Sequence, residues 1–479
     1  VDGGPEGRIG FRLKLPDAGW NGRFLMMGGG GFDGGLGLFA EGFHGLARGY
    51  ATAATDAGHA GGDSAAWALH DQTKIVDFGY RAVHLVRDAA VAITSSWGGK
   101  PVEQSYFAGC STGGRMALMA AQRYPADFNG IIAGAPAWDY DGLMMDFAWN
   151  QKALFRSQDH YIPATKLPAI QAAEVAQCAA TGAVVGGIIA DPPRCRFDPS
   201  ALLCREGDGP DCLTAGQVDT LKLIHAGPRS SRGLALYPGL PVGTEGAGNW
   251  PAYVVGTKPP ETGSGQLGIA DPGAERPAYQ REGWPNMMFF AQQYVKYLFF
   301  PLAEQDPARD AMAFDFDRDP VRRFQLAATQ DPTPDLREFQ ERGGKLIVYG
   351  GWGDPVVPLP RTIEFVRAMS AMAGGSAAAS RFSRLYPVPG MPHCAGGNVP
   401  NVFGQPLSGA PPGDAAHDIT TALDEWVRNG TAPGPIIATQ YPGNDVTKPK
   451  LRDMPLCPYP QRVTFLGGPV EEARSYACR

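Results

Sequence analysis

Residues 106–115 read Tyr-Phe-Ala-Gly-Cys-Ser-Thr-Gly-Gly-Arg, so that Gly109, Ser111 and Gly113 satisfy G-x-S-x-G. The pattern fits a strand that ends in a sharp turn and restarts as a helix, with the serine at the apex. Small residues flank the serine because its backbone is strained there. Glycine supplies 64 of 479 residues, so the bare pattern arises by chance, and its neighbours decide. Ser105 to Ala108 is strand-like, Met116 to Ala121 is helix-forming and stops before Pro125, and Ile131-Ile132-Ala133 reads as the next buried strand.

The same alternation runs through the first third of the chain. Phe24 to Met27 reads as a strand entering Gly28-Gly29-Gly30-Gly31, and Tyr50 to Thr55 reads as another leading to Asp56 and His59. Val83, Val86, Ala90 and Ile93 recur at helical spacing within a helix predicted over 76–93. Strands alternating with helices imply a parallel sheet with crossover helices. Past Ala137 the rhythm breaks: residues 138–335 are rich in Pro, Gly and Trp, with helical patches such as Pro168 to Ala179 and Met287 to Phe299. The sheet resumes at Lys345 to Tyr349 and again at Phe382 to Val388, with helices over 360–372 and 414–428. The predicted architecture is α/β: an α/β-hydrolase fold built from 1–137 and 336–479, with 138–335 as a large inserted lid domain that binds substrate. Aromatic residues of the lid, Trp284 and Phe289 among them, either line a pocket or form the lid's own core, and for any one of them core is the stronger reading.

The net charge of −6 argues against nucleic acid or an anionic membrane as partner, and no apolar run approaches the ~18 residues of a membrane span. The sequence opens at Val1 without the features of a signal peptide, so one was removed or never existed. Eight cysteines show no C-x-x-C and no zinc-finger spacing. Three neighbouring pairs, Cys178 with Cys195, Cys204 with Cys212 and Cys457 with Cys478, would close short loops, the pattern of an oxidising compartment. Spacing does not prove that connectivity. Cys110 and Cys394 are left over, and a bond between them would tie the serine turn to a distant loop.

Acyl transfer needs a nucleophile, a base in reach and a carboxylate that fixes the base's tautomer. In α/β-hydrolases these follow in the order Ser, acid, His, on loops after strands. Ser111, Asp354 and His393 meet that order. Asp56 and His59 precede the serine, His84 reads as a packing residue, and His417 is expected within a helix. The oxyanion of the intermediate would be met by the N–H of Thr112 and that of Gly30 or Gly31, in a loop without Cβ atoms.

These segments resemble the tannase/feruloyl esterase family, which includes the mono(hydroxyethyl) terephthalate hydrolases. Gly-Cys-Ser-Thr-Gly-Gly-Arg at 109–115, Asp-Phe-Gly-Tyr-Arg-Ala-Val-His at 77–84, Gly-Trp-Gly-Asp-Pro at 351–355 and Val-Pro-Gly-Met-Pro-His-Cys at 388–394 carry the likeness. So do Gly-Tyr-Ala-Thr-Ala-Ala-Thr-Asp at 49–56 and Ala-Leu-Asp-Glu-Trp-Val at 422–427. The resemblance implies Ser111, Asp354 and His393 as triad, Cys110–Cys394 as an adjoining disulfide, a lid over an aromatic-acid pocket, and a secreted or periplasmic location. Feruloyl, galloyl and terephthaloyl esters are all consistent with it; a terephthalate monoester would need a cation such as Arg281 for its free carboxylate. Lactone opening, acyl transfer and a non-catalytic binder on the same scaffold are the rivals. The chain departs from the family at one place. The family's calcium loop carries aspartates after the cysteine matching Cys178, whereas Ala179, Gly182 and Gly186 stand there here. No bound metal or other cofactor is expected, because calcium wants six or more hard oxygen ligands.

Overall fold

The computed structural model describes residues 7–36, 45–62, 64–257, 283–323 and 329–479. Its centre is a seven-stranded sheet. The strands are β1 (Phe11–Lys14), β2 (Arg23–Met27), β3 (Ala51–Thr55), β4 (Gln104–Cys110), β5 (Gly130–Gly134), β6 (Lys345–Gly351) and β7 (Ser383–Val388). Their order across the sheet is β1-β3-β2-β4-β5-β6-β7, with β1 antiparallel to β3 and every other pair parallel. The inner strands are buried almost throughout, and that is why they read as continuous apolar runs: strands covered by helices on both faces need no polar alternation. This is the α/β-hydrolase arrangement. The parallel strands all point the same way, so the loops after Met27, Cys110, Gly351 and Val388 emerge at one edge, where ligands of such sheets bind.

The helices that place the site are α1 (Ala82–Gly98), α2 (Thr112–Arg123), α3 (Tyr140–Leu154), α4 (Leu167–Ala179), α5 (Ala215–Ala226), α6 (Asn286–Tyr297), α7 (Leu359–Met372) and α8 (Ile419–Asn429). A helical turn at Gln72–Val76 and a π-turn at Asp77–Arg81 lead into α1. A π-turn releases carbonyls from the regular ladder, and Arg115 of α2 collects them. Its guanidinium donates to the carbonyls of Phe78, Gly79 and Gln330 and lies 4.6 Å over the Phe78 ring. Arg115 is fully buried, and these acceptors are what make a cation tolerable there.

Between β5 and β6 the insertion packs α3 against α6, with Tyr140 and Tyr294 edge to face at 5.1 Å. A capping box of Thr214 and Gln217 starts α5. Buried residues of the insertion, such as Phe147, Leu221 and Trp250, join those of the sheet in one contiguous core. All eight cysteines are paired: Cys110–Cys394, Cys178–Cys195, Cys204–Cys212 and Cys457–Cys478.

The 178–187 loop is closed by its own backbone, with Thr181 N–H and Ala183 N–H both donating to the Cys178 carbonyl. Two guanidinium groups also donate to the loop, Arg194 to Thr181 O and Arg452 to Gly186 O. Residues 178–187 contain no carboxylate.

Candidate active site

Ser111 sits between β4 and α2 with φ 64 and ψ −125, a left-handed conformation that costs a non-glycine residue of order 1–3 kcal/mol. The surroundings enforce it. A Cβ on Gly109 would stand 2.6 Å from Gly113 backbone, and one on Gly113 would stand 2.8 Å from the Gly29 carbonyl. One on Gly114 would meet the Gly134 carbonyl at 2.3 Å. The glycines are therefore required by contact between the serine turn, the Gly28–Gly31 loop and the end of β5. Ser111 N–H donates to Gly134 O at 3.0 Å, and its own carbonyl receives the N–H groups of Arg115 and Ala137.

The glycine loop is held to the turn by hydroxyls. Thr112 Oγ1 and Tyr140 Oη both donate to Gly31 O, at 2.6 and 3.0 Å, and Asp33 N–H donates to Gly30 O. Thr112 opens α2, so its N–H has no intrahelical acceptor. The Asp33 carboxyl lies beneath this loop, fully buried, and burial pushes its pKa up to about 7. Phe290, half-buried, would touch a Cβ on Gly31 at 3.4 Å.

On the other side, His393 Nδ1 lies 2.8 Å from Asp354 Oδ2. Asp354 is fully buried, and its Oδ1 accepts the N–H groups of Val356 and Val357 at 2.8 and 3.0 Å. A carboxylate so satisfied can only accept from the histidine, which fixes the proton on Nδ1 and leaves Nε2 as a base. The His393 loop is set from both ends. Asn249 Oδ1 of the insertion accepts from His393 N–H at 2.8 Å, and Gly353 N–H donates to Met391 O. Cys394, also at positive φ (67), bonds Cys110 with a Cα–Cα distance of 5.9 Å. The disulfide thus joins the two residues chemically adjacent to Ser111 and His393.

The other candidates lie elsewhere. His59 is buried, stacked on Trp67 at 3.9 Å, and its ring nitrogens face the carbonyl oxygens of Phe32 and Ala57, to which it can only donate; burial pushes it down to about 4. Asp56 is taken up by Gly10 and Gly58 N–H groups. His84 pairs with Asp127 and stacks on Tyr124. His417 precedes α8 rather than lying within it, on an exposed turn with Asp414. In the insertion, Asp139 caps α3 and pairs with Arg361, Asp141 accepts from Tyr294 Oη, and Arg156 and Arg229 are exposed. Trp284 is half-buried, Phe289 is packed against Phe32 at 3% exposure, and Arg281 lies outside the described residues. Tyr140 and Asn249, which reach the glycine loop and the histidine loop, carry no signal in the sequence: both contacts span more than a hundred residues.

A family model described as "Tannase and feruloyl esterase" matches residues 2–479. An uncharacterized esterase of Xanthomonas campestris pv. campestris is 38% identical over 99% of this chain and 82% of its own length. The mono(2-hydroxyethyl) terephthalate hydrolase of Piscinibacter sakaiensis is 30% identical over 100% of this chain and 82% of its own length. Among solved structures, feruloyl esterase B from Aspergillus oryzae superposes with a TM-score of 0.83 at 25% identity, covering 99% of this chain and 88% of that one. Tannin acyl hydrolase from Aspergillus niger shares the fold, with a TM-score of 0.75 at 21% identity over 100% and 84% of the two chains.

Proposed function

The chain belongs to the tannase and feruloyl esterase family and is a carboxylic ester hydrolase, and from that premise we propose that it cleaves esters of aromatic acids with Ser111, His393 and Asp354 as a triad. The observation that carries the reading is the Asp354–His393 pair at 2.8 Å on a loop bonded through Cys394 to the residue before Ser111. Ser111 Oγ attacks the ester carbonyl carbon while His393 Nε2 takes the hydroxyl proton. The carbonyl oxygen becomes an oxyanion facing the N–H of Thr112 and that of Gly30 or Gly31, each donor worth about 3–4 kcal/mol of barrier. Collapse expels the alcohol, which leaves with the proton from His393. Water, deprotonated by the same nitrogen, then attacks the acyl-enzyme and frees the acid and Ser111.

The insertion acts as the lid in this reading, supported by Tyr140, Asn249 and Phe290, which reach the glycine and histidine loops from it. The 178–187 loop is proposed to work without calcium, its cation role taken by Arg194 and Arg452. Four disulfides support export to an oxidising compartment, and no helix among the described residues is long and apolar enough to cross a membrane. The test is a panel of a feruloyl, a galloyl and a terephthaloyl ester with wild type and Ser111→Ala. At least one should be hydrolysed by wild type and none by the variant. Turnover surviving in Ser111→Ala, or no hydrolysis of any aromatic ester, would overturn the proposal.

A further inference from the structure

Outside the candidate active site, two buried glutamates and a part-buried histidine converge. Glu174 of α4, His225 of α5 and Glu245 of the turn before Trp250 bring ligand atoms within 4.8 Å of one another. Glu174 is wholly buried, and neither of its oxygens has a hydrogen-bond partner; the same holds for Glu245 Oε1 and His225 Nε2. Burying two carboxylates is costly unless a cation or donors meet them. Among the described residues, their only ion-pairing side chain is His225 itself.

The orientation of the histidine narrows the occupant. His225 Nδ1 lies 2.9 Å from the Leu240 carbonyl, an oxygen that can only accept. Nδ1 therefore carries a proton, and Nε2 is the nitrogen left to face the two glutamates and to ligate an ion, the orientation a backbone carbonyl gives metal-binding histidines. Nε2 stands 3.2 Å from Glu245 Oε1 and 4.0 Å from Glu174 Oε1. Ligands bonded at 2.0–2.2 Å around a tetrahedral ion lie about 3.4 Å apart, between those two spacings. The second Glu245 oxygen accepts from Gly243 N–H and Thr244 Oγ1, which orients its partner oxygen inward.

We propose that Glu174, His225 and Glu245 form a zinc site that braces the insertion. One imidazole and two carboxylates are ligands of a borderline divalent ion; the nitrogen and the low oxygen count disfavour calcium. The site is separate from the 178–187 loop and takes no part in bond cleavage. Its position gives it a structural role. An ion there would lock α4, α5 and the turn following Glu245 together. That turn carries Ala247, whose methyl would lie 2.7 Å from a Cβ on Gly353, and Asn249, which holds His393 N–H.

The experiment uses the full chain, stripped with a chelator and titrated with Zn²⁺, and separately with Co²⁺ as a spectroscopic probe. Wild type should bind one zinc per chain at micromolar concentration and melt at a higher temperature when loaded. Co²⁺ should give visible d–d bands that zinc abolishes. Glu174→Gln and His225→Gln should each weaken zinc binding by on the order of 100-fold and lose the bands. His84→Gln alters the other cluster, His84, Asp88 and Asp127, and should keep full stoichiometry. If a ligand variant fails to fold, the wild-type cobalt spectrum and stoichiometry still decide. Stripped wild type that takes up no zinc, because protons alone fill the cluster, would overturn the proposal. So would His225→Gln binding as wild type does, or zinc uptake lost in His84→Gln.

Discussion

Removing the Cys110–Cys394 disulfide separates its contribution to stability from its contribution to catalysis. The bond closes a loop of 284 residues, and the chain-entropy treatment gives roughly 5–6 kcal/mol for it at 25 °C, against about 3 kcal/mol for the 21-residue loop of Cys457–Cys478. On stability alone, Cys110→Ala/Cys394→Ala should lower the unfolding free energy about 2–3 kcal/mol more than Cys457→Ala/Cys478→Ala. The larger consequence concerns the site. The bond links Cys394 (φ 67) to the residue before Ser111 (φ 64), and a shift of about 1 Å between nucleophile and base costs on the order of 100-fold in rate. The assay is urea unfolding of both double variants beside kcat on the best ester of the panel, measured where each is fully folded. The site variant should lose about two orders of magnitude in kcat with KM little changed, and the tail variant almost none. Equal kcat in the two double variants would refute the reasoning, since the bond would then matter only as a staple.

Asp354→Asn keeps the size of the side chain but lets the amide donate, which favours the wrong histidine tautomer; kcat should fall on the order of 10⁴-fold while circular dichroism stays unchanged. Gly113→Ala forces a methyl to within 2.8 Å of the Gly29 carbonyl, so it should cost about 1–3 kcal/mol by denaturation and lose disproportionately more activity, because the displaced strand end carries the oxyanion loop. Asp33→Asn tests burial beneath that loop. The folded pKa is raised from 3.8 to about 7, so the unfolded chain ionises first and stability falls as pH rises through that window, by at most about 4 kcal/mol. Relative to wild type, the Asn variant should gain stability between pH 4 and pH 8 in denaturant titrations; parallel curves would contradict the assignment.

Much of the sheet and the placement of the candidate site residues was legible because each rested on local rules. Buried parallel strands announce themselves as apolar runs, and the Ser111 turn, Asp354 and His393 each follow a strand end. The helix α3 escaped because it is buried nearly all round, so it has no amphipathic period for a pattern to find. The edge strand β1 is short and only half-covered. The helix expected from Asp414 begins instead at Ile419: Asp414 closes a turn with His417, whereas Asp418 accepts from Thr420 and Thr421 N–H and is the true cap. Asn249 and Tyr140 were invisible for a different reason. Their roles are set by where the insertion folds back, a tertiary fact that no neighbouring residue encodes.

The account stands on Ser111 being the group that becomes acylated. Treating the folded enzyme with a fluorophosphonate and mapping the adduct by peptide mass spectrometry tests that directly. Complete inactivation with a single phosphonyl group on the peptide containing Ser111, and no labelling of Ser111→Ala, is the expected result. Inactivation with the label on another residue, or undiminished hydrolysis by fully labelled enzyme, would contradict it.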